Sequence, residues 1–358
     1  MMRILFVAPY GGFGGSENVL VNVLERLDRT RFEPHVLMLE RGPLSDRVQE
    51  LGIPTLVQHM PGKPGVAKFA TSARRVPGPF DVIHANGGKA AVYGLALRRH
   101  LRAPLLWMKH DHSYEGRLTH ALGARCDHVV CVSHVMARAF ADLPEERVSV
   151  IYPGVILRDL KPVEDTTPTI VSVGRMDPFK GFDQLLHAAA QLRAEGVELD
   201  VRLAGPPDNV HKDTQLELKR LADELGLDGE KVGWADDLDE VYESARVVAL
   251  ASKPKGESGA PGEGAPLVLM EAMGAARPVV GTDMPGIAEV ISGCGSLVGP
   301  PTAENLAKAL KPYLQDPALA ARTGAKGRTR VEQLMTLDRT VAELSALYSR
   351  LADKPAIR

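Results

Sequence analysis

Short β-branched runs alternate with helical segments along the chain, and this alternation is the feature that most restricts its fold. Each run is followed in most cases by an amphipathic or alanine-rich segment. Strands separated by helices pair in parallel, so the pattern predicts doubly wound sheets of the α/β class. The predicted strands span residues 3–8, 35–40, 55–59, 81–85, 104–109, 128–132, 148–152, 169–173, 200–203, 247–251, 279–282 and 296–298.

A polar stretch with three prolines, residues 153–168, divides these strands into two groups. Its composition is typical of a connection rather than of a helix or strand. The chain has 358 residues, and single cores rarely grow beyond about 250 to 300 residues. We therefore predict two domains, residues 1–155 and 156–358, the second closed by three helices from about Thr302 onward.

Composition restricts the class of protein further. Hydrophobic residues make up 44% of the chain and charged residues 25%, the balance of an ordinary folded domain. The three cysteines, Cys126, Cys131 and Cys294, lack the spacing of metal ligands. Neither a signal-peptide core nor a membrane-length apolar window is found. We expect a cytoplasmic protein without a zinc site, a disulfide framework or a transmembrane span.

The net charge of −2 hides a difference between the two predicted domains. Residues 1–155 carry 19 Lys and Arg against 14 Asp and Glu, a formal +5, and the remainder carries 24 against 31, a formal −7. A charge of +5 on a domain of this size is usually solvated surface, although it permits weak contact with an acidic membrane or an anionic acceptor. We expect no nucleic-acid partner, and no oligomeric state is predicted.

Two carboxylates eight positions apart, Glu263 and Glu271, flank a Gly-Ala-Pro turn and an apolar helix start. Eight positions correspond to about two helical turns plus a loop residue, so both side chains can face one pocket. Carboxylates accept hydrogen bonds from hydroxyl groups, and free N–H groups at a helix start attract anions. The spacing suits a sugar nucleotide, but two glutamates on a solvated helix face would have the same spacing.

Arg175 and Lys180 follow the predicted strand at residues 169–173 and precede an amphipathic helix. Two cations beside a strand-to-helix turn can bind a diphosphate, because Arg offers forked donors and Lys a point charge. Taken singly, each could equally be an ordinary surface cation. Their position beyond a strand end favours a ligand, since open α/β sheets bind ligands there.

A glycine-rich loop, residues 11–15, follows the first predicted strand, and Ser16 is the expected N-cap of the next helix. Backbone at such a loop can approach a phosphate or a sugar closely. A nicotinamide site with Glu40 as the ribose-binding acid is not favoured, because Glu17 stands where the dinucleotide fingerprint needs Gly or Ala. A P-loop sequence is also missing, which argues against a P-loop nucleotidase.

Four segments share the motifs of a known enzyme family. They are residues 14–17 (Gly-Gly-Ser-Glu), 172–181 (Ser-Val-Gly-Arg, then Lys-Gly), 263–273 (Glu-Gly-Ala-Pro-Leu-Val-Leu-Met-Glu-Ala-Met) and 277–289 (Arg-Pro-Val-Val-Gly-Thr-Asp-Met-Pro-Gly-Ile-Ala-Glu). By these motifs the chain resembles the glycosyltransferase family 4 enzymes, retaining transferases with the GT-B fold. The resemblance covers nearly the whole chain. It implies two Rossmann-like domains facing a central cleft, with acceptor binding in the first and nucleotide-sugar binding in the second.

The resemblance also implies roles for the motif residues. Arg175 and Lys180 would neutralise the diphosphate leaving group. Glu263 would bind hydroxyls of the donor sugar near the anomeric carbon, and Glu271 the ribose hydroxyls. The base would lie near residues 232–234. The remaining donor-binding positions act through their backbone: Gly14, Gly15, Gly205, Ala265, Pro266, Leu267 and Val268.

His110 lies in a polar cluster after the fifth predicted strand and matches the histidine that family members place near the reacting sugar. His112 is the second candidate. The two are not expected to bind a metal, because alternate residues on a strand point to opposite faces and no third ligand is evident. No cofactor is expected beyond the nucleoside-diphosphate sugar, and Mg²⁺ on the diphosphate is compatible with the resemblance but not required.

We therefore predict transfer of a hexose-type sugar from a nucleoside-diphosphate sugar to an acceptor hydroxyl, with retention of configuration. The predicted acceptor is a small molecule, a natural product or a cell-envelope glycan. A nucleotide-sugar epimerase of this architecture would need no acceptor, and a non-catalytic subunit would be expected to lack Arg175, Lys180 or Glu263. Residues 253–262 form a Gly- and Pro-rich loop that is long for the family, and we expect it to act as a lid.

Overall fold

The computed structural model describes residues 1–60, 66–112, 116–206, 213–254 and 262–353. The chain forms two compact units, one of Met1–Gly154 with Leu337–Arg358 and one of Val155–Thr336. A parallel sheet lies in each unit. The predicted α/β class with two Rossmann-like domains is confirmed.

The first unit contains a seven-stranded parallel sheet in the described residues. Its strands are β1 (Met2–Ala8), β2 (Phe32–Met38), β3 (Thr55–Val57), β4 (Val82–Asn86), β5 (Leu105–Lys109), β6 (His128–Cys131) and β7 (Val148–Val150), and its helices up to this point are α1 (Gly15–Arg26), α2 (Pro43–Glu50), α3 (Val66–Ala73), α4 (Gly88–Leu101), α5 (Arg117–Gly123) and α6 (His134–Ala137). The strand order is β3-β2-β1-β4-β5-β6-β7. The order reverses between β1 and β4, and doubly wound sheets bind ligands at such a point.

The second unit repeats this arrangement with six strands in the described residues. Its strands are β8 (Thr169–Val173), β9 (Asp200–Ala204), β10 (Val232–Gly233), β11 (Val247–Leu250), β12 (Val279–Thr282) and β13 (Ser296–Val298), and its helices are α7 (Phe182–Ala194), α8 (Thr214–Glu224), α9 (Leu238–Ser244), α10 (Leu267–Gly274), α11 (Pro285–Ile291), α12 (Ala303–Gln315) and α13 (Pro317–Leu334). The strand order is β10-β9-β8-β11-β12-β13. Here the order reverses between β8 and β11.

Apolar periodicity places the cores where the sequence pattern predicts them. In α7, Phe182, Leu185, Leu186, Ala189 and Leu192 recur at the spacing of one helix face and are all buried. They belong to one cluster with apolar side chains of the strands beneath. Burying these strands on both sides explains why their sequences read as continuous apolar runs.

The last helix, α14 (Leu337–Ala352), packs with the first unit. Its Tyr348 is fully buried, and the phenol oxygen lies 2.7 Å from Nδ1 of His84 on β4. The Tyr348 ring meets Phe6 and Phe32 edge-on. The predicted domain of residues 156–358 had assigned this helix to the second unit, and the structure corrects that assignment. An amphipathic pattern shows which face of a helix is buried, but not which sheet the helix covers.

One local prediction was wrong, and one short strand was missed. Helix α1 begins at Gly15 with Gly14 as its N-cap, so Ser16 lies inside the first turn and is not the cap. The Ser16 hydroxyl instead donates to the Glu17 carboxylate at 2.9 Å. Strand β10 was not predicted, because two residues are too few to form an apolar run.

Residues 255–261 of the predicted lid lie outside the described residues, so the lid stays a prediction. Within the described ranges, no helix combines the length and apolar character needed to cross a membrane.

Candidate functional site

An ion pair lies beyond the carboxyl end of β8 in the second unit. Lys180 Nζ donates to Glu263 Oε1 at 2.6 Å, although the two residues are 83 positions apart. Their side chains are 21% and 14% exposed. Lys180 ends a short 3-10 turn, Pro178–Lys180, whose N-cap Asp177 accepts a hydrogen bond from the Phe179 N–H at 2.9 Å. The turn therefore fixes where the Lys180 side chain begins, and the ion pair fixes where it ends.

Two glycines allow the strand ends around this pair to touch. Gly181 has φ of 66°, and a Cβ there would lie 2.1 Å from the Ala251 carbonyl oxygen. Gly205 has φ of 152°, and a Cβ there would lie 1.9 Å from the Gly174 carbonyl oxygen. Only glycine fits at both positions. The packing of the backbone at the end of β9 thus accounts for Gly205 without a ligand, and its predicted contact with the nucleotide stays a prediction.

Arg175 lies near this pair and forms a different contact. Its guanidinium is 3.4 Å from the Asp177 carboxylate, which is 8% exposed, while the Arg175 side chain is 47% exposed. The buried Asp177 therefore anchors one side of the guanidinium. The half-exposed side chain faces solvent beside the turn that carries Lys180.

Glu271 lies on α10 and has its own set of partners. The Tyr242 hydroxyl donates to Glu271 Oε2 at 2.7 Å. Burial raises the pKa of the Glu271 carboxyl, against the opposing effects of the Tyr242 hydrogen bond and the nearby Arg158 charge. The Arg158 guanidinium stacks over the Tyr242 ring at 5.4 Å and is hydrogen-bonded to Asp239. The two glutamates of the motif are thus held by separate clusters.

The start of α10 follows the Gly-Ala-Pro turn. Pro266 is the N-cap and Leu267 is the first helical residue. The N–H groups in the first turn of a helix have no intrahelical acceptors. In α10 these include the N–H groups of Leu267 and Val268. Pro266 has no N–H, so of the predicted positions Ala265, Leu267 and Val268 can donate to an anion and Pro266 cannot.

In the first unit, Asn86 joins His110 to the first turn of α1. The Asn86 amide nitrogen donates to the Ser16 carbonyl at 3.1 Å, and its amide oxygen lies 2.6 Å from His110 Nε2. Because the Ser16 carbonyl can only accept, the amide oxygen faces the ring, and His110 must carry its proton on Nε2. Burial lowers the pKa of His110 to about 4, although the Asp111 charge acts in the opposite direction. The imidazole is therefore neutral at pH 7.

The glycine-rich loop itself packs closely on the segment after β2. A Cβ on Gly11 would lie 2.6 Å from the Arg41 carbonyl oxygen, and a Cβ on Gly14 would lie 2.9 Å from the Glu17 carboxylate. Gly15 follows as the first residue of α1. Glu40, which follows β2, pairs with Lys89 at 3.0 Å.

Several residues of these clusters were not predicted from the sequence, among them Asn86, Ser252 and Tyr242. Asn86 carried a usable signal, since it is a polar residue that ends an apolar strand just before two glycines. Ser252, whose hydroxyl donates to Glu263 Oε1 at 2.7 Å, and Tyr242 had none. Their importance depends on partners 11 and 29 positions away, which only the fold brings close.

The part of the chain that the structure describes contains no group of three or more His, Cys, Asp or Glu residues placed to hold a metal ion. Cys126 and Cys131 are buried, and burial raises the pKa of each thiol to about 12. Neither thiol is ionised at neutral pH, so neither is an activated nucleophile.

Two family models match the chain, "Glycosyltransferase Family 4" over residues 13–159 and "Glycosyl transferases group 1" over residues 157–330. The chain belongs to glycosyltransferase family 4 and has the GT-B fold, as its motifs predicted. It is a glycosyltransferase.

Relatives and solved structures agree with this assignment. The chain is 25% identical over 373 residues to D-inositol 3-phosphate glycosyltransferase 1 of Catenulispora acidiphila, covering 88% of this chain and 87% of the relative. It is 26% identical over 285 residues to the lipopolysaccharide core biosynthesis mannosyltransferase LpcC of Rhizobium leguminosarum bv. viciae, covering 75% and 78%. The crystal structure of Anabaena Alr3699/HepE in complex with UDP and glucose matches with a TM-score of 0.81 at 24% identity, over 98% of this chain and 100% of that one, and shows the same fold.

The geometry around His110 predicts its protonation state. We expect nitrogen-15 shifts of the His110 ring to report the neutral Nε2–H tautomer from pH 8 down to about pH 5, because burial lowers its pKa to about 4. Comparison with His110→Gln assigns the signal. Asn86→Ala should broaden or shift this signal by removing the acceptor. A His110 ring that titrates near pH 6.5 would contradict the described geometry.

Proposed function

We propose that this glycosyltransferase moves a hexose-type sugar from a nucleoside-diphosphate sugar to an acceptor hydroxyl, with retention at the anomeric carbon. The second unit binds the donor, and the first unit binds the acceptor and supplies His110. The observation that carries the proposal is the Lys180–Glu263 ion pair beyond the end of β8, with the exposed Arg175 beside it. This arrangement offers cations for a diphosphate and a carboxylate for sugar hydroxyls at one sheet edge.

The donor groups have complementary tasks in this proposal. Negative charge grows on the diphosphate as the bond from the anomeric carbon to its oxygen breaks, and Lys180 and Arg175 stabilise that charge. The Leu267 and Val268 N–H groups add partial positive charge at the start of α10. Glu263 accepts hydrogen bonds from sugar hydroxyls, and Glu271 accepts them from the ribose.

Retention follows in this scheme from attack on the same face that the diphosphate leaves. The acceptor oxygen bonds to the anomeric carbon, and its proton passes to the departing phosphate. No enzyme nucleophile is required. A neutral His110, held by Asn86, would position the sugar by hydrogen bonding and not by charge.

The proposed donor class is supported by what related proteins bind. The matched HepE structure contains UDP and glucose, and a further HepE structure, with a TM-score of 0.80, contains UDP-glucose. The named relatives act on inositol 3-phosphate and in lipopolysaccharide core biosynthesis. These activities favour a polyhydroxylated acceptor, either a small phosphorylated molecule or an envelope glycan. The base is proposed to lie near the exposed Trp234 after β10.

The test is a panel of UDP-, GDP- and ADP-hexoses incubated with the purified protein, first alone and then with candidate acceptors. Slow hydrolysis of one donor, and faster release of its nucleotide when an acceptor is present, is the expected result. Conversion of the donor to another sugar nucleotide without an acceptor would identify an epimerase. Binding of a donor without turnover under any condition would identify a non-catalytic subunit.

Removing either cation should slow transfer strongly. We expect Lys180→Ala and Arg175→Ala each to lower kcat/KM by on the order of a hundredfold, because each removes charge that complements the departing diphosphate. Lys311→Ala is the matched control, since Lys311 also forms a 2.6 Å ion pair with a glutamate, Glu195, but does so on the surface at α12. Near wild-type kcat/KM in both site variants would exclude this donor site.

Tyr242→Phe should weaken binding of the nucleoside diphosphate by about tenfold, because it removes the hydrogen bond that holds the Glu271 carboxylate. The lost bond favours the ionised carboxylate, so its removal raises the pKa of Glu271 further and the loss of affinity should grow as pH falls. Calorimetric titrations at pH 6 and pH 8 measure both effects.

The matched control for this pair is Tyr313→Phe, which removes a 2.9 Å contact with Ser296 in the same unit. Glu271→Gln should weaken nucleotide binding at both pH values. Unchanged affinity in Tyr242→Phe and Glu271→Gln would leave Glu271 as a structural residue of α10.

A further inference from the structure

Glu263 Oε1 accepts hydrogen bonds from two segments of the second unit. Lys180 Nζ donates at 2.6 Å from the turn after β8, and the Ser252 hydroxyl donates at 2.7 Å from the segment after β11. Among the described residues, the hydrogen bonds that this carboxylate accepts both end on Oε1. These two hydrogen bonds fix the orientation of the carboxylate group. They thereby set the direction of Oε2, the oxygen that neither donor contacts.

An anionic ligand would affect the two hydrogen-bond donors of Glu263, Lys180 and Ser252, differently. Lys180 is a cation on a flexible side chain and is 21% exposed. A diphosphate that binds beside it attracts the same ammonium group that holds Glu263. Ser252 is uncharged and 2% exposed, so its hydroxyl has no comparable attraction to an incoming anion. A phosphate that draws Lys180 away would therefore leave the hydrogen bond from Ser252 in place.

Ser252 is itself held in place by the segment that carries Lys180. The Lys253 backbone N–H donates to the Phe179 carbonyl at 2.7 Å, and Lys253 Nζ contacts both carboxylate oxygens of Asp183 at 2.8 Å. Gly181 lets the Ala251 carbonyl approach on the other side of Ser252. The two segments that donate to Glu263 are therefore fixed to each other on both sides of Ser252.

We propose that Ser252 is a positioning residue for transfer. It keeps the Glu263 carboxylate aimed at the donor sugar while Lys180 is engaged with the diphosphate. Asp183 and Lys253 hold Ser252 where it can do so. This inference rests on the proposed function, because it takes Glu263 as the sugar-binding group and Lys180 as a phosphate-binding group.

A role in positioning makes a specific kinetic prediction. With the most active nucleotide sugar of the hexose panel as donor, we expect Ser252→Ala to lower kcat by about tenfold, the effect of losing a hydrogen bond to a charged group. Its affinity for the corresponding nucleoside diphosphate should change by less than about twofold, since that probe has no donor sugar. Ser244→Ala is the matched control: the Ser244 hydroxyl donates to the Val241 carbonyl at 2.7 Å within α9, and kcat should be unaffected.

A double-mutant cycle separates positioning from a general effect on the fold. In a Glu263→Ala background, Ser252→Ala should change kcat by less than about twofold, because the group it positions is already absent. An equal loss of kcat in both backgrounds would overturn the inference, and so would a parallel loss of nucleotide affinity. Wild-type kcat in Ser252→Ala would overturn this inference alone. A wild-type protein that neither binds nor turns over any donor of the panel would overturn the proposed function together with this inference.

Discussion

Parallel pairing of every described strand is the constraint on which the candidate site depends. In the second unit, Val173 at the end of β8 pairs with Ala204 at the end of β9, and β11 runs in register on the other side of β8. Parallel register brings the carboxyl ends of these strands to one edge. The turns that follow them are therefore neighbours, and Lys180 and Ser252 reach one carboxylate from different parts of the chain. Gly181 and Gly205 additionally allow the backbones at these strand ends to approach each other closely.

The fold was largely predictable because its signals are local and repeated. Apolar β-branched runs separated by helices specify parallel sheets without knowledge of any contact. The predictions that failed concern features that a local pattern of apolar residues does not specify. The two-residue β10 has no run to detect, and the apolar face of α14 is compatible with either sheet. Ser16 is a good N-cap by residue type, but Gly14 already occupies that position in the backbone.

The sequence motifs indicated some members of the candidate site and not others, and the roles assigned to them stay predictions. Lys180 and Glu263 were recognised by motif, and the structure adds their direct contact. Tyr242 and Ser252 each donate one hydrogen bond to a distant glutamate, and Asn86 bonds both the Ser16 carbonyl and His110, so residue type does not reveal their partners. Burial changes titration in two directions here: it keeps His110 uncharged near pH 7 and makes the Glu271 carboxyl harder to ionise. Such effects depend on the folded surroundings and have no counterpart in the sequence.

The chain enters the second unit at Val155 and returns to the first at Leu337. During synthesis, the sheet of the first unit therefore leaves the ribosome before the helix that covers Phe6 and His84 has been made. The second unit is one continuous segment, and all of its parts are present once Thr336 has emerged. The N-terminal unit is thus the last to be completed. Its apolar surface around Phe6 and His84 lacks the covering helix until the second unit has been translated. Apolar surface that is exposed during such an interval is prone to aggregation.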